Sequence, residues 1–303
     1  MPVQKPKRKA VQKKRYAILS RGRGLHSIRR LLQEAKKARI QCDVIHPLEC
    51  QLIIDGPHSR ILVGSEPIPR YDAILPRIGT SITDYGLAVV KQFETLGTRA
   101  VNTSQAIAES RDKLRSLQIL TEAGLSVPTT VLTRSQRGTR AALLAVKSMP
   151  VVLKLLRGTQ GVGVMIVHSP LSMISVLDTL RDLGQDTLIQ RFVAEGAGQD
   201  YRALVVGGRV IGAMRRTAPP GEFRSNIHRG GEGTPIKLPR AYEQAAVKAA
   251  KVLGLEIAGV DLMESTTGPQ IIEVNSSPGF EGIEKATGLN IAREMIRQLI
   301  RKR

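Results

Sequence analysis

Two short apolar runs near the end of the chain, Ala258 to Met263 and Gln270 to Val274, each carry an acid between aliphatic neighbours. Asp261 stands between Val260 and Leu262, and Glu273 between Ile272 and Val274. The turn Ser265 to Pro269 separates them, so the pattern predicts an antiparallel hairpin. A carboxylate inside an apolar strand is costly unless something positive meets it. Side chains alternate along a strand, so Glu273 and Asn275 point the same way, and a hairpin brings Asp261 alongside them. Three hard oxygen donors gathered in this way suit magnesium, which takes one or two carboxylates and fills its other positions with water and substrate phosphates. A hairpin whose acids simply face solvent would carry the same residues, and the rest of the chain has to choose.

The 303 residues are enough to bury a sizeable core and to divide into two or three units. No run of about 18 apolar residues occurs, so no membrane span is expected. The basic start MPVQKPKRKAVQKKR has no apolar segment behind it and is unlike a secretory signal. Cys42 and Cys50 lack CxxC spacing and neighbouring histidine pairs, which argues for a reducing cytoplasm and against a zinc site or a disulfide framework. Forty-six Lys and Arg stand against 26 Asp and Glu, a formal charge of +20 that favours polyanionic partners. Residues 1–15 hold seven of the bases and no acid, which leaves 39 against 26, or +13, in the remainder. That opening stretch reads as a disordered basic tail with a nonspecific electrostatic role, contact with RNA or the ribosome included. The surplus in the body suits nucleic acid, an acidic polypeptide or ATP.

Strands are expected at Tyr16 to Ser20, Cys42 to His46, Ile61 to Val63 and Ala73 to Leu75, with helices at Leu25 to Ala38 and Thr83 to Leu96. This alternation predicts an open, largely parallel sheet to about residue 100, serving as a substrate-binding or a purely structural platform. Arg21-Gly22-Arg23-Gly24 lacks the spacing of a dinucleotide fingerprint. Asn102 to Gly124 reads as one helical segment with Lys113 off its most apolar face. Lys154 lies in the middle of the apolar strand Val151 to Leu156, where an ammonium either snorkels from an edge or meets an anion. Gly158, Gly161 and Gly163 then lead into a second strand, Val164 to Val167. Glycines let backbone N–H groups approach phosphate oxygens. The spacing is neither a Walker loop nor G-x-G-x-x-G, and with a lysine just upstream it reads as a phosphate-covering hairpin. After a helix at Leu171 to Leu183 and a strand at Leu188 to Val193, DYRALVV from Asp200 is expected to pair with Val210 to Met214 across Gly207-Gly208. Arg215 to Gly233 reads as a long cationic lid, its Arg215, Arg216, Arg224, His228 and Arg229 suited to carboxylates or phosphate. A helix is expected at Arg240 to Leu253, and Ile291 to Ile300 closes the chain.

Several of these phrases together resemble the ATP-grasp ligases: Lys154 with the GTQGVG turn, Gln190 to Val193, Asp200-Tyr201-Arg202, Ala258 to Asp261, and Glu273-Val274-Asn275 with Ser277-Pro278-Gly279. More narrowly, Gly221 to Asn226 (GEFRSN) and His228 to Gly231 (HRGG) resemble the RimK-type ribosomal-protein glutamate ligases. The likeness runs from about Tyr16 to the C-terminus and includes Pro76 to Thr80 (PRIGT) and Arg111 to Leu114. It implies an α/β (α+β) ATP-grasp fold with an N-terminal open parallel-sheet domain. The divisions it suggests are a tail at 1–15, an N-terminal domain at 16–100, a central subdomain at 101–185 with the glycine-rich hairpin, and a C-terminal subdomain at 186–303 with the metal site.

The same resemblance implies ATP phosphates held by Lys113 and Lys154 under the turn of Gly158, Gly161 and Gly163, with adenine against the backbone at Arg191 and Phe192 and ribose at Asp200. Arg224, Ser225 and Asn226 would meet nucleotide or acyl phosphate, and Arg216 would stabilise charge in transfer, making Lys154, Arg216 and Arg224 the catalytic set. Two magnesium ions, or manganese in their place, would sit on Asp261, Glu273 and Asn275. The implied reaction joins L-glutamate to the acidic C-terminal tail of a ribosomal protein through an acyl phosphate, with release of ADP and phosphate. Its implied setting is a cytoplasmic homo-oligomer, a tetramer among relatives. Family members often have Glu where this chain has Arg191, so main-chain contacts to adenine would survive but a carboxylate hydrogen bond would not. Two other readings are an ATP-grasp ligase for another amino acid or a coenzyme acceptor, and a non-catalytic basic RNA-associated protein. The intact Lys154, Asp261, Glu273 and Asn275 speak against the second.

Overall fold

Alternating strand and helix open the chain: β1 (Arg15–Leu19), α1 (His26–Lys37), β2 (Gln41–Ile45), then β3 (Cys50–Ile53), β4 (Arg60–Val63), β5 (Glu66–Pro67), β6 (Ala73–Pro76), α2 (Thr83–Thr95) and β7 (Arg99–Ala100). The computed structural model describes residues 14–156, 163–225 and 230–301. Strands β2-β1-β6-β7 form a parallel sheet in that order. Alternation along β1 sends Tyr16 and Ile18 to α1, with its Ile28 and Leu31, and sends Ala17 and Leu19 to α2, with its Val89, Val90 and Phe93. The two helices therefore cover opposite faces. The run at Ile61 to Val63 departs from expectation. It lies in β4, within a separate antiparallel meander β3-β4-β5. Parallel pairing needs a crossover of about a dozen residues or more, and the links between these strands are only six and two residues long.

The segment expected as one helix is two, α3 (Ser104–Arg111) and α4 (Lys113–Glu122). Asp112 leaves the helical region, at φ −76° and ψ 103°, and its carboxylate accepts from the Arg115 N–H at 2.9 Å. An aspartate that satisfies an orphan N–H in this way starts a helix rather than continuing one. The break puts Lys113 in the first turn of α4.

Strand β8 (Thr130–Leu132), α5 (Gln136–Val146), β9 (Val151–Leu155), β10 (Val164–Val167), α6 (Pro170–Asp182) and β11 (Thr187–Arg191) follow. Their antiparallel sheet runs β10-β9-β11-β8, so it reaches past residue 185. A second antiparallel sheet, β14-β13-β12-β15-β16, is built from β12 (Gln199–Val206), β13 (Arg209–Thr217), β14 (Glu232–Pro235), β15 (Ile257–Met263) and β16 (Gln270–Asn275), with α7 (Arg240–Val252) between β14 and β15. Arg215 and Arg216 therefore belong to a strand and not to a lid, because β13 runs on to Thr217 and pairs there with β14. His228 and Arg229 of that expected lid lie outside the described residues.

Helices α8 (Glu281–Thr287) and α9 (Ile291–Ile300) close the chain. Ile283, Met295, Ile296 and Leu299 share one core with Leu204 and Met214 of the antiparallel sheet and Ile18 and Leu31 of the parallel domain. Asn102 adds a buried clasp. Its amide donates to the carbonyls of Ile257 at 2.7 Å and Ser276 at 2.9 Å, and its oxygen accepts from the N–H groups of Glu256 and Ile257. Among the described residues no helix is long and apolar enough to cross a membrane.

Candidate active site

The hairpin register sets Asp261 opposite Glu273 and Gly259 opposite Asn275. On the other side of β15, Arg202 lies opposite Asp261, and across β12 Arg216 lies opposite Asp200. This register builds a chain of ion pairs. Arg202 donates from Nε to Asp261 Oδ1 at 2.7 Å and from Nη2 to Oδ2 at 2.6 Å. Arg216 Nη2 stands 3.0 Å from the same Oδ2, while its guanidinium also grips both oxygens of Asp200. Ser225 Oγ completes the row by donating to Asp200 Oδ2 at 2.6 Å. Burial alone would raise the Asp261 carboxyl, but Arg202 and Arg216 overcome it and hold the group below its ordinary value. Burial would likewise lower Arg216, yet Asp261 and Asp200 keep it above its usual range.

Glu273 is placed differently. It is exposed on the open side of β16 and forms no ion pair or hydrogen bond among the described residues. Crowding by protein and then the charge of Asp261 push its carboxyl up, against Arg202, Lys154 and Lys113. Asn275 is half-buried, and its Nδ2 has no partner among the described residues. Among the described residues no three of His, Cys, Asp or Glu cluster as metal ligands. A cation here therefore depends on the Asn275 amide as well as Asp261 and Glu273. The donors fit a hard divalent ion: they are oxygens, and the repulsion between two adjacent carboxylates is relieved by positive charge between them.

Two lysines carry charges that bear on these acids. Lys154 sits mid-sheet, opposite Val164 on β10 and Leu188 on β11. Burial draws its ammonium down to about 8, with Glu273 and Asp261 pulling the other way and Lys113 adding to the fall. Lys113, whose Nζ donates to the Leu156 carbonyl at 3.1 Å, is lowered by burial and raised by Glu273. The charges of Lys113 on α4 and Lys154 on β9 thus both act on the Glu273 carboxyl of β16. Gly163 closes β9 onto β10 at φ 74°, and its carbonyl accepts from Leu155 N–H at 2.9 Å. Gly158, Gly161 and Asn226 lie outside the described residues.

Arg191 is exposed at the end of β11, and its N–H is already committed to the Thr129 carbonyl at 2.8 Å. Phe192 beside it is half-buried. Arg224 forks onto Glu222, with Nη2 to Oε2 at 2.7 Å, which draws the Glu222 carboxyl down to about 2. Thus Asp200, Arg216, Ser225 and Asp261 are joined by ion pairs and hydrogen bonds, Glu273 lies opposite Asp261 with Asn275 two residues on, the charges of Lys113 and Lys154 act on Glu273, and Arg224 flanks the group next to Ser225. Arg202 is the residue that sequence reasoning missed. The available signal was its position two residues after Asp200 on one strand, on the same face, where a buried acid nearby required a cation.

A parallel-sheet domain followed by a four-stranded antiparallel sheet and a five-stranded one that carries the acids is the architecture of an ATP-grasp enzyme. Among solved structures, the ATP-grasp ligase PsnB complexed with minimal precursor superposes with a TM-score of 0.76 at 20% identity, covering 95% of this chain and 99% of that one. The family model of the RimK-like ATP-grasp domain matches residues 110–299, and that of the RimK PreATP-grasp domain matches residues 15–107. A protein of Marinomonas sp. (strain MWYL1) named "Probable alpha-L-glutamate ligase" is 46% identical over 283 residues, 93% of this chain and 94% of that protein. One of Halorhodospira halophila with the same name is 46% identical over 287 residues, 95% of each. The chain belongs to the RimK family of ATP-grasp ligases, ATP-dependent enzymes that form ADP.

Proposed function

We propose that the enzyme joins the amine of L-glutamate to the C-terminal glutamate of a ribosomal protein, through an acyl phosphate, with cleavage of ATP to ADP and phosphate. The names of the relatives support the glutamate, and one observation carries the reaction type: the hairpin register sets Asp261 opposite Glu273, two residues before Asn275, a set of oxygen donors suited to a divalent ion that carries phosphates. In this reading Lys113 and Lys154 hold the ATP phosphates under Gly158, Gly161 and Gly163. Adenine lies against Arg191 and Phe192, where a donor other than the engaged Arg191 N–H has to serve it. Asp200 meets the ribose, and Arg224, Ser225 and Asn226 meet nucleotide or acyl phosphate. Asp261, Glu273 and Asn275 hold magnesium, two ions by family analogy, or manganese. Bound there, the metal supplies charge compensation for the phosphates.

The acceptor carboxylate attacks the terminal phosphorus of ATP and ADP leaves; the glutamate amine then attacks the acyl carbon, loses a proton and expels phosphate. No protein nucleophile is required. Lys154, Arg216 and Arg224 act by position and positive charge, as phosphoryl transfer demands. The same reading has the enzyme working in the cytoplasm as a homotetramer, divided at about residues 15 and 100 and again past β11 rather than at 185, with the basic tail in nonspecific contact with RNA or the ribosome. Incubation with Mg·ATP, L-glutamate and a peptide ending in glutamate, followed by mass spectrometry and ADP measurement, tests it. Masses should rise by glutamyl units, and Glu273→Ala or Lys154→Ala should cut ADP release on the order of 10²-fold or more while circular dichroism is unchanged. Undiminished turnover in either variant removes the proposed site.

A further inference from the structure

Among the described residues, every arginine that is not exposed has a carboxylate within ion-pair distance, except Arg77 and Arg111. Both border one loop. Arg111 is spent on holding that loop, donating to the carbonyls of Ile78 and Gly79 and to Thr83 Oγ1. Arg77 gives one hydrogen bond, from Nη2 to the Pro278 carbonyl at 2.7 Å, and lies 5.8 Å from the Phe280 ring centroid. Desolvation, with no acid to oppose it, draws its guanidinium down to about 10. A desolvated guanidinium with four donors unused and no counter-charge is costly unless an anion arrives.

The topology says where that anion would stand. From β1 the chain crosses by α1 to β2, and from β6 it crosses by α2 to β7, on opposite faces and in opposite directions. The crevice between neighbouring β1 and β6 is therefore the switch point of the parallel sheet, and ligands of such sheets bind at the carboxyl ends of the strands there. Arg77 directly follows β6, and its N–H donates to Leu19 at the end of β1. Arg21 follows β1, exposed, with Nη2 3.8 Å from where a Cβ on Gly79 would stand. The loop after Asn275 closes over the crevice through Pro278 and through Ser277 Oγ, 3.5 Å from the Pro76 carbonyl. In it Ser276 Oγ is buried without a partner among the described residues.

We propose that Arg77, with Arg21 beside it, binds a carboxylate of an acidic substrate of the ligation and makes this crevice the acid-recognition subsite next to Asn275. The inference deepens the glutamate-ligase reading and rests on it. The carboxylate belongs either to free glutamate or to the acceptor tail, and kinetics separate the two. Arg77→Met, Arg77→Lys and Arg21→Met are compared with wild type for KM of L-glutamate, of a peptide ending in glutamate, and of ATP, with melting temperatures as the check on folding. Arg77→Met should raise KM for one acidic substrate about tenfold or more, the loss of a charge-assisted hydrogen bond. Arg77→Lys should restore part of it, Arg21→Met should raise the same KM less, and KM for ATP should hold. A rise confined to glutamate assigns the amino acid; a rise confined to the peptide assigns the tail. Unchanged KM values in Arg77→Met and Arg21→Met, or an equal loss for ATP and both acids, would overturn the proposal. Wild-type turnover judges the ligase reading separately: if wild type releases ADP only with another carboxylic acid, the same comparison on that acid still decides Arg77.

Discussion

Asp261 stays ionised in the interior because two guanidinium groups hold its oxygens. Removing one partner of a buried pair leaves a charge uncompensated, which costs more than the intact pair contributes. Arg216 cannot make up for Arg202, since it is shared with Asp200. Arg202→Met should therefore destabilise the metal-free protein by about 3 kcal/mol. Magnesium should recover part of that loss, because an ion that binds only the folded state stabilises it and positive charge is what the site then lacks. Thermal melts with and without magnesium check this: the upward shift should be larger in the variant than in wild type. Equal shifts would mean that Asp261 is not where the ion is held.

The acidic hairpin depends on close approach between β15 and the loop behind it. A Cβ on Gly259 would stand 2.7 Å from Pro278 Cβ, a rigid ring atom that cannot swing aside. Gly259→Ala should cost about 1–3 kcal/mol through overpacking. It should also displace the loop that carries Pro278, so the denaturant midpoint and the rate of ADP release should fall together while the m-value holds. A variant of wild-type stability would show that the loop yields freely. Much at this scale was legible in the sequence because it is local: strand alternation placed Asp261 against Glu273, and the apolar run around Lys154 and the paired glycines at 207 and 208 marked their own turns and strands. What was not legible depends on pairing at a distance. Arg216 reads as loop until β14 returns to pair with it, and β4 reads as one more parallel strand until its short links exclude a crossover. Arg202 needed the β12–β15 register, which no local pattern specifies. Asp112 is the exception, since an aspartate that caps α4 marks the break locally.

Helix α9 and Asn102 join the parallel domain to the sheet that bears the acids, so the molecule presents its charge as one body. That charge is +20, and each glutamyl unit added would make the acceptor more acidic, so attraction would strengthen as the product grows. Attraction between exposed charges is screened within about 8 Å at physiological salt. Raising ionic strength from about 0.05 to 0.5 M should therefore raise KM for a glutamate-rich peptide far more than KM for free L-glutamate, whose charge is small. Residues 1–13 carry five of the bases, so deleting them lowers the charge from +20 to +15 and leaves most of the field in place. The truncated enzyme should bind heparin more weakly, keep its turnover with short peptides and retain most of the salt dependence. A truncated enzyme inactive on short peptides would put the tail inside the catalytic machinery, and a salt dependence abolished by truncation would put the steering field in the tail and not in the folded body.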